Sequence, residues 1–94
     1  MTLGAADARP EPPVVTLYSR PGCHLCDVAR EQLSALQRTV PFRLREVNIE
    51  SDADLERRFM LEIPVIALGD EVITAAPVDL ERVRAAVLAA RVAD

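Results

Sequence analysis

Tyr18-Ser19-Arg20-Pro21-Gly22-Cys23-His24-Leu25-Cys26 joins a short apolar run, Val14–Tyr18, to a segment of helical periodicity, Leu25–Leu36. A Cys-x-x-Cys pair at the point where a strand hands over to a helix is the arrangement of a thiol–disulfide redox site. Three other uses of such a pair have to be weighed against it: half of a zinc site, two packed thiols, and a structural disulfide.

A structural zinc site takes four ligands from Cys and His. The chain has two cysteines and one histidine, and His24 lies between the cysteines. One chain cannot close such a site unless carboxylates or a second chain contribute. A bridge across so short a loop stabilises by only about 2 kcal/mol on the loop-entropy formula. Residues i and i+3 inside a helix hold their Cβ atoms about 5–6 Å apart, whereas a disulfide needs about 3.5–4.5 Å. Cys23 at the non-helical N-cap position, with Cys26 in the first turn, closes that gap. Such a bridge suits being made and broken.

The chain is 94 residues long, which is one domain, and half of it is hydrophobic. Its net charge is −4, with charges of both signs interspersed; all eleven basic residues are Arg. With no basic patch and three scattered aromatics, nucleic acid is not an expected partner. Residues 1–13 hold Gly4, Pro10, Pro12 and Pro13 without an apolar period, and read as a flexible N-terminal tail. They lack the basic and apolar regions of a secretory signal, and no apolar run is long enough to span a bilayer. A cytoplasmic location without membrane attachment is expected, where a lone Cys pair is more often catalytic than structural.

Residues 14–94 divide into seven elements. Val14–Tyr18 is apolar on both faces, as in a buried central strand. Leu25, Val28, Ala29, Leu33 and Leu36 form the apolar stripe of a helix that stops before Pro41. Phe42–Ile49 is a second strand whose alternation slips between Arg45 and Val47, consistent with an edge. Ser51 is the expected N-cap of a helix over Asp52–Met60, which buries Leu55 and Phe59. Ile63–Leu68 is a third strand, and Gly69-Asp70 turns it into a fourth, Glu71–Thr74. Ala75–Val78 is a loop, and Asp79 caps a last helix carrying Leu80, Val83, Val87 and Ala90. The order is β-α-β-α-β-β-α, an α/β fold with the first two strands parallel.

Strand, Pro21-Gly22-Cys23-x-x-Cys26, helix, strand, helix, Ile63-Pro64-Val65 strand, hairpin and terminal helix together resemble the glutaredoxin branch of the thioredoxin superfamily, over about Val14–Ala90. The resemblance implies the thioredoxin fold, a four-stranded mixed sheet flanked by helices, with a cis Ile63–Pro64 bond facing the cysteines. It also implies an electron-transport enzyme, a dithiol thiol–disulfide oxidoreductase acting on protein or glutathione mixed disulfides. Departures accompany it. His24-Leu25 stands where dithiol members have Pro-Tyr, and Glu62-Ile63 where they have Thr-Val. Ala75-Ala76-Pro77-Val78-Asp79 replaces Gly-Gly-x-Asp-Asp, much of the family's glutathione site. Arg20 keeps the positive charge three residues before the first cysteine.

Cys23 is the candidate nucleophile and Cys26 the resolving thiol. At the reference pKa of about 8.5 only ~3% of a thiol is thiolate at pH 7. Lowering the pKa to ~6 takes roughly 3.4 kcal/mol, of which a helix dipole supplies ~0.3–2 and a backbone N–H to sulfur ~1.5–3. Arg20 and protonated His24 are further contributors. Arg20, His24, Ile63, Pro64 and Asp79 are the candidate substrate-binding residues, with Ile63 offering backbone groups for strand-like pairing beside Pro64. Three have a plainer alternative: solvation for Arg20 and His24, a helix cap for Asp79. No bound cofactor and no metal are expected; glutathione is a candidate reductant. The expected partner of this monomer is a protein disulfide or a reductase, or glutathione. Two other functions stay open: a metal or iron–sulfur carrier with four thiolates from a dimer, and a redox-inert binding module on the same fold.

Overall fold

A computed structural model describes residues 12–92 of the chain. All but Pro12 and Pro13 of the expected tail lie outside the described residues. Strands β1 (Val14–Ser19), β2 (Arg43–Asn48), β3 (Val65–Leu68) and β4 (Glu71–Thr74) alternate with helices α1 (His24–Gln37), α2 (Ala53–Phe59) and α3 (Leu80–Val92) in the expected order. The sheet runs β2-β1-β3-β4. β1 pairs parallel with β2 and antiparallel with β3, and β3 pairs antiparallel with β4. This is the thioredoxin fold.

Central placement of β1 follows from its apolar residues on both faces. Val15 and Leu17 point to one side and join Ala29 and Leu33 of α1, Val83 and Val87 of α3, Phe42 and Ile66 in the main core. On the other side Tyr18 packs against Ile49, Phe59 and Val65, a second cluster that also takes in Leu55, Ile63 and Ala75. The Tyr18 and Phe59 rings lie 4.8 Å apart. β2 is the edge strand that its interrupted alternation suggests.

Two expectations need correction. Ser51 does not cap α2. Asn48 starts a 3-10 turn over Ile49–Ser51, its side chain accepting from the Glu50 N–H. The helix begins one residue later, with Asp52 Oδ1 accepting from the N–H groups of Asp54 (2.8 Å) and Leu55 (3.3 Å). The buried line of α1 is also narrower than its apolar stripe. Cys26, Ala29 and Leu33 are buried, but Leu25 and Val28 lie on the flank of that line and remain exposed, facing a groove under the Ala76–Val78 loop. Asp79 caps α3 as expected, its Oδ1 accepting from the N–H groups of Glu81 and Arg82.

Candidate active site

Sheet topology brings three loops to one end of the molecule. β1 leaves into Arg20–Cys23 at its C-terminal end. Tyr18 opposes Val65 in the antiparallel pair, so residues 60–64 reach β3 from the same end. Ile66 opposes Thr74, so residues 75–79 depart from it as well. The Ala76 N–H donates to the Glu62 carbonyl (3.3 Å) and fastens the second loop to the third. The Thr74 hydroxyl accepts from the Asp79 N–H (3.2 Å) and closes the third loop on α3.

In the first loop Gly22 takes a φ of +77°, a conformation that glycine adopts without a Cβ penalty. That turn sets Cys23 at the N-cap of α1 in an extended conformation (φ −97°, ψ 104°). Cys26 lies inside the first turn. The two sulfurs form a disulfide with the Cα atoms 5.2 Å apart. The Cys26 N–H donates to Cys23 Sγ at 3.1 Å, so the sulfur of the N-cap residue takes a backbone donor that the helix leaves unpaired. Cys26 is completely buried, whereas Cys23 is only partly so.

The remaining candidates divide. Arg20 and His24 are exposed beside the disulfide. The Ile63–Pro64 bond is cis, and a second cis bond, Ala76–Pro77, lies in the neighbouring loop. Pro64 is fully buried, so its ring is packed under the site and not at its mouth. The Ile63 N–H donates to the Phe59 carbonyl (3.1 Å), which removes the donor half of the strand-like pairing expected there. The Asp79 carboxylate is engaged as a cap. Neither Ala75 nor Ala76 has a positive φ, so the loop does not use the freedom that paired glycines would give it.

One cluster near the cysteines escaped sequence reading. Arg30 of α1 donates from Nε to Glu46 Oε1 (2.7 Å), from Nη2 to Glu46 Oε2, and from Nη1 to Asp27 Oδ1 (2.8 Å). The buried Ser19 hydroxyl donates to Glu46 Oε2 (2.7 Å). Hydrogen bonding to Arg30, reinforced by Ser19, holds the Glu46 carboxyl below its ordinary pKa. Glu46, and next Asp27, hold the Arg30 guanidinium above its own. The slip in the alternation of β2 was the available signal, since it falls on Glu46; the partner was not legible.

Two hollows flank the disulfide. The polar one, of about 400 Å³, is lined by Ser19–Gly22, Asp27, Arg30, Glu46 and Asn48. The apolar one, of about 470 Å³, lies between Leu25, Val28, Ala29 and Gln32 of α1 and the Ala76–Val78 loop. Among the described residues no three His, Cys, Asp or Glu side chains gather as a metal site would require.

Residues 14–91 match the family model described as "Glutaredoxin-like domain (DUF836)". The chain belongs to that family. Two solved structures resemble this glutaredoxin-like domain over nearly their whole length. Protein Ne2328 of Nitrosomonas europaea is 28% identical, with a TM-score of 0.75 over 84% of this chain and 95% of its own. XcR50 of X. campestris is 36% identical, with a TM-score of 0.66 over 80% of this chain and 96% of its own. A buckwheat glutaredoxin solved with glutathione shares the fold at 15% identity, with a TM-score of 0.55 over 84% of this chain and 76% of its own. No curated protein matches the chain. A glutaredoxin-like domain with a Cys-x-x-Cys pair at the helix N-terminus supports a thiol redox role.

Proposed function

We propose that this protein is a dithiol thiol–disulfide oxidoreductase in which Cys23 attacks and Cys26 resolves. The observation that carries it is the asymmetry of the pair. Cys23 is reachable at an N-cap with a backbone N–H on its sulfur, and Cys26 is buried one turn behind. A donor at 3.1 Å favours the thiolate form, and the helix dipole acts in the same sense.

The reduced protein carries two thiols. The Cys23 thiolate attacks one sulfur of a substrate disulfide, and the other leaves as a thiolate and takes up a proton. The mixed disulfide is then attacked by Cys26, which gives up its proton as it bonds to Cys23 Sγ. The second substrate thiolate departs. Two electrons have passed to the substrate, and the protein ends with the Cys23–Cys26 disulfide, the state of this structure. Another turnover needs a dithiol or a pair of monothiols as reductant. Arg20 and His24 border the leaving group, and the Ile63 carbonyl and the Pro64 backbone border the substrate chain. The engaged N–H of Ile63 and the capping duty of Asp79 weigh against a full glutathione site. We place the protein in the cytoplasm; no helix of the described residues is long and apolar enough to cross a membrane.

A titration in dithiothreitol redox buffers tests the exchange chemistry. One two-electron transition of the folded protein is expected, lost in Cys23→Ser. A disulfide that opens only on unfolding would show a structural bridge instead, and iron retained after anaerobic reconstitution would show a carrier. Presenting the oxidised protein separately to glutathione and to thioredoxin reductase then identifies the reductant class.

A further inference from the structure

Leu61, Leu25 and Met60 are the most exposed large hydrophobic residues among those described, at 91%, 60% and 46%. All three sit at the end of the sheet where Cys23 lies: Leu25 between the cysteines, Met60 and Leu61 on the loop that leads into Pro64. The apolar groove begins at Leu25 and continues along α1 through Val28 to Gln32, with Ala76, Pro77 and Val78 as its other wall. Large apolar side chains are therefore concentrated around one disulfide and extend away from it in one direction.

We propose that this groove selects protein substrates whose reacting cysteine is flanked by large aliphatic side chains. The inference rests on the exchange chemistry proposed above and names its substrate class. Leu25 to Gln32 spans about 10 Å at ~1.5 Å per helical residue, which is about three residues of extended chain at ~3.3 Å each. A substrate sulfur at Cys23 thus lays about three residues on one side of its own cysteine along the groove. Charge argues for the same occupant. Asp27 and Glu46 are paired with Arg30, Asp79 caps α3, and no charged side chain lines the groove. A small thiol bearing two carboxylates finds no counter-charge along it, and its backbone gains nothing from an aliphatic wall. An apolar polypeptide segment gains from every lining residue but Gln32.

The test uses the full-length reduced protein and synthetic peptides whose single cysteine carries a 5-thio-2-nitrobenzoate mixed disulfide. All peptides share that leaving group. One series has Leu or Val at the three positions on either side of the cysteine, a second has Ser, a third has Asp. Stopped-flow single turnovers, with the protein pre-reduced and freed of dithiothreitol (which would itself release thionitrobenzoate), give the single-turnover equivalents of kcat and KM for each. The Leu series is expected to exceed the Ser series by about tenfold or more in kcat/KM, the discrimination one or two apolar side chains supply, and through KM. The Leu-to-Ser ratio cancels any change in thiol reactivity. It should fall toward one in Val28→Gln and in Leu25→Gln, both substitutions of exposed residues that line the groove. Equal KM for the Leu and Ser series, or a ratio that survives both substitutions, overturns the proposal while leaving the exchange chemistry standing. Absence of thionitrobenzoate release from every peptide overturns the exchange chemistry and the proposal with it. A dimer in sedimentation that Val28→Gln dissociates would assign the apolar face to a second copy and likewise overturn it.

Discussion

The two sulfurs differ in environment more than in chemistry. Cys23 is at an N-cap and takes the Cys26 N–H at 3.1 Å, and Cys26 is enclosed by core atoms. In Cys26→Ser the second attack is removed and the mixed disulfide has nowhere to go. Incubation with a peptide disulfide is expected to leave one peptide bonded to Cys23, visible by mass spectrometry after digestion. Cys23→Ser should accumulate little adduct, because the remaining thiol is buried. Adduct on residue 26 of that variant at a comparable rate would reverse the roles.

At the scale of elements, α1 is fastened to the edge of the sheet by charge as well as by its apolar face. Glu46 of β2 takes two hydrogen bonds from Arg30 of α1 and one from Ser19 of β1. Its folded pKa lies below the unfolded one, so its contribution is present above about pH 4.3 and is lost as pH falls through the lowered value. The side chain is about a third exposed (35%), and solvent screening keeps the effect modest. Glu46→Gln should flatten the fall of stability below about pH 4.3, read as urea midpoints across that range. An unchanged acid profile would mean that the contact contributes nothing in solution. High salt should weaken the same contact in the wild-type protein.

Across the whole molecule, one end of the sheet collects the disulfide and an apolar, uncharged wall, with Arg20 exposed beside the disulfide. On the reading proposed above, a glutathione mixed disulfide has few partners there. Losing one charge-assisted hydrogen bond costs about 1.5–3 kcal/mol, roughly ten- to a hundredfold in affinity. Turnover of a small glutathionylated substrate is expected to be weak beside exchange with a protein disulfide. Saturable turnover at micromolar substrate, abolished by Arg20→Ala, would show an intact glutathione groove and contradict this. The core behind the site is the ordinary source of stability. Leu33 is fully buried between helix and sheet, and Leu33→Ala should cost about 2–5 kcal/mol in chemical denaturation.

Local physics was enough for the order of elements, the central place of β1 and the helix-terminal seat of the Cys pair. A strand apolar on both faces, a glycine turn and a helical stripe each declare themselves within a few residues. The resemblance added the cis bond at Pro64, which spacing could not supply. What escaped depends on residues far apart in the chain. Arg30 meets Glu46 only because β1 and β2 pair parallel in a particular register. Leu25 and Val28 carry the period of a buried face, yet stay exposed because they lie on the flank of the buried line Cys26–Ala29–Leu33, where a groove and not the core faces them. The Ile63 N–H is spent on Phe59, and a groove forms between α1 and the Ala76–Val78 loop. Periodicity determines which face of an element is apolar; only the tertiary arrangement decides how wide a strip of that face the core covers, and what the remainder is left to bind.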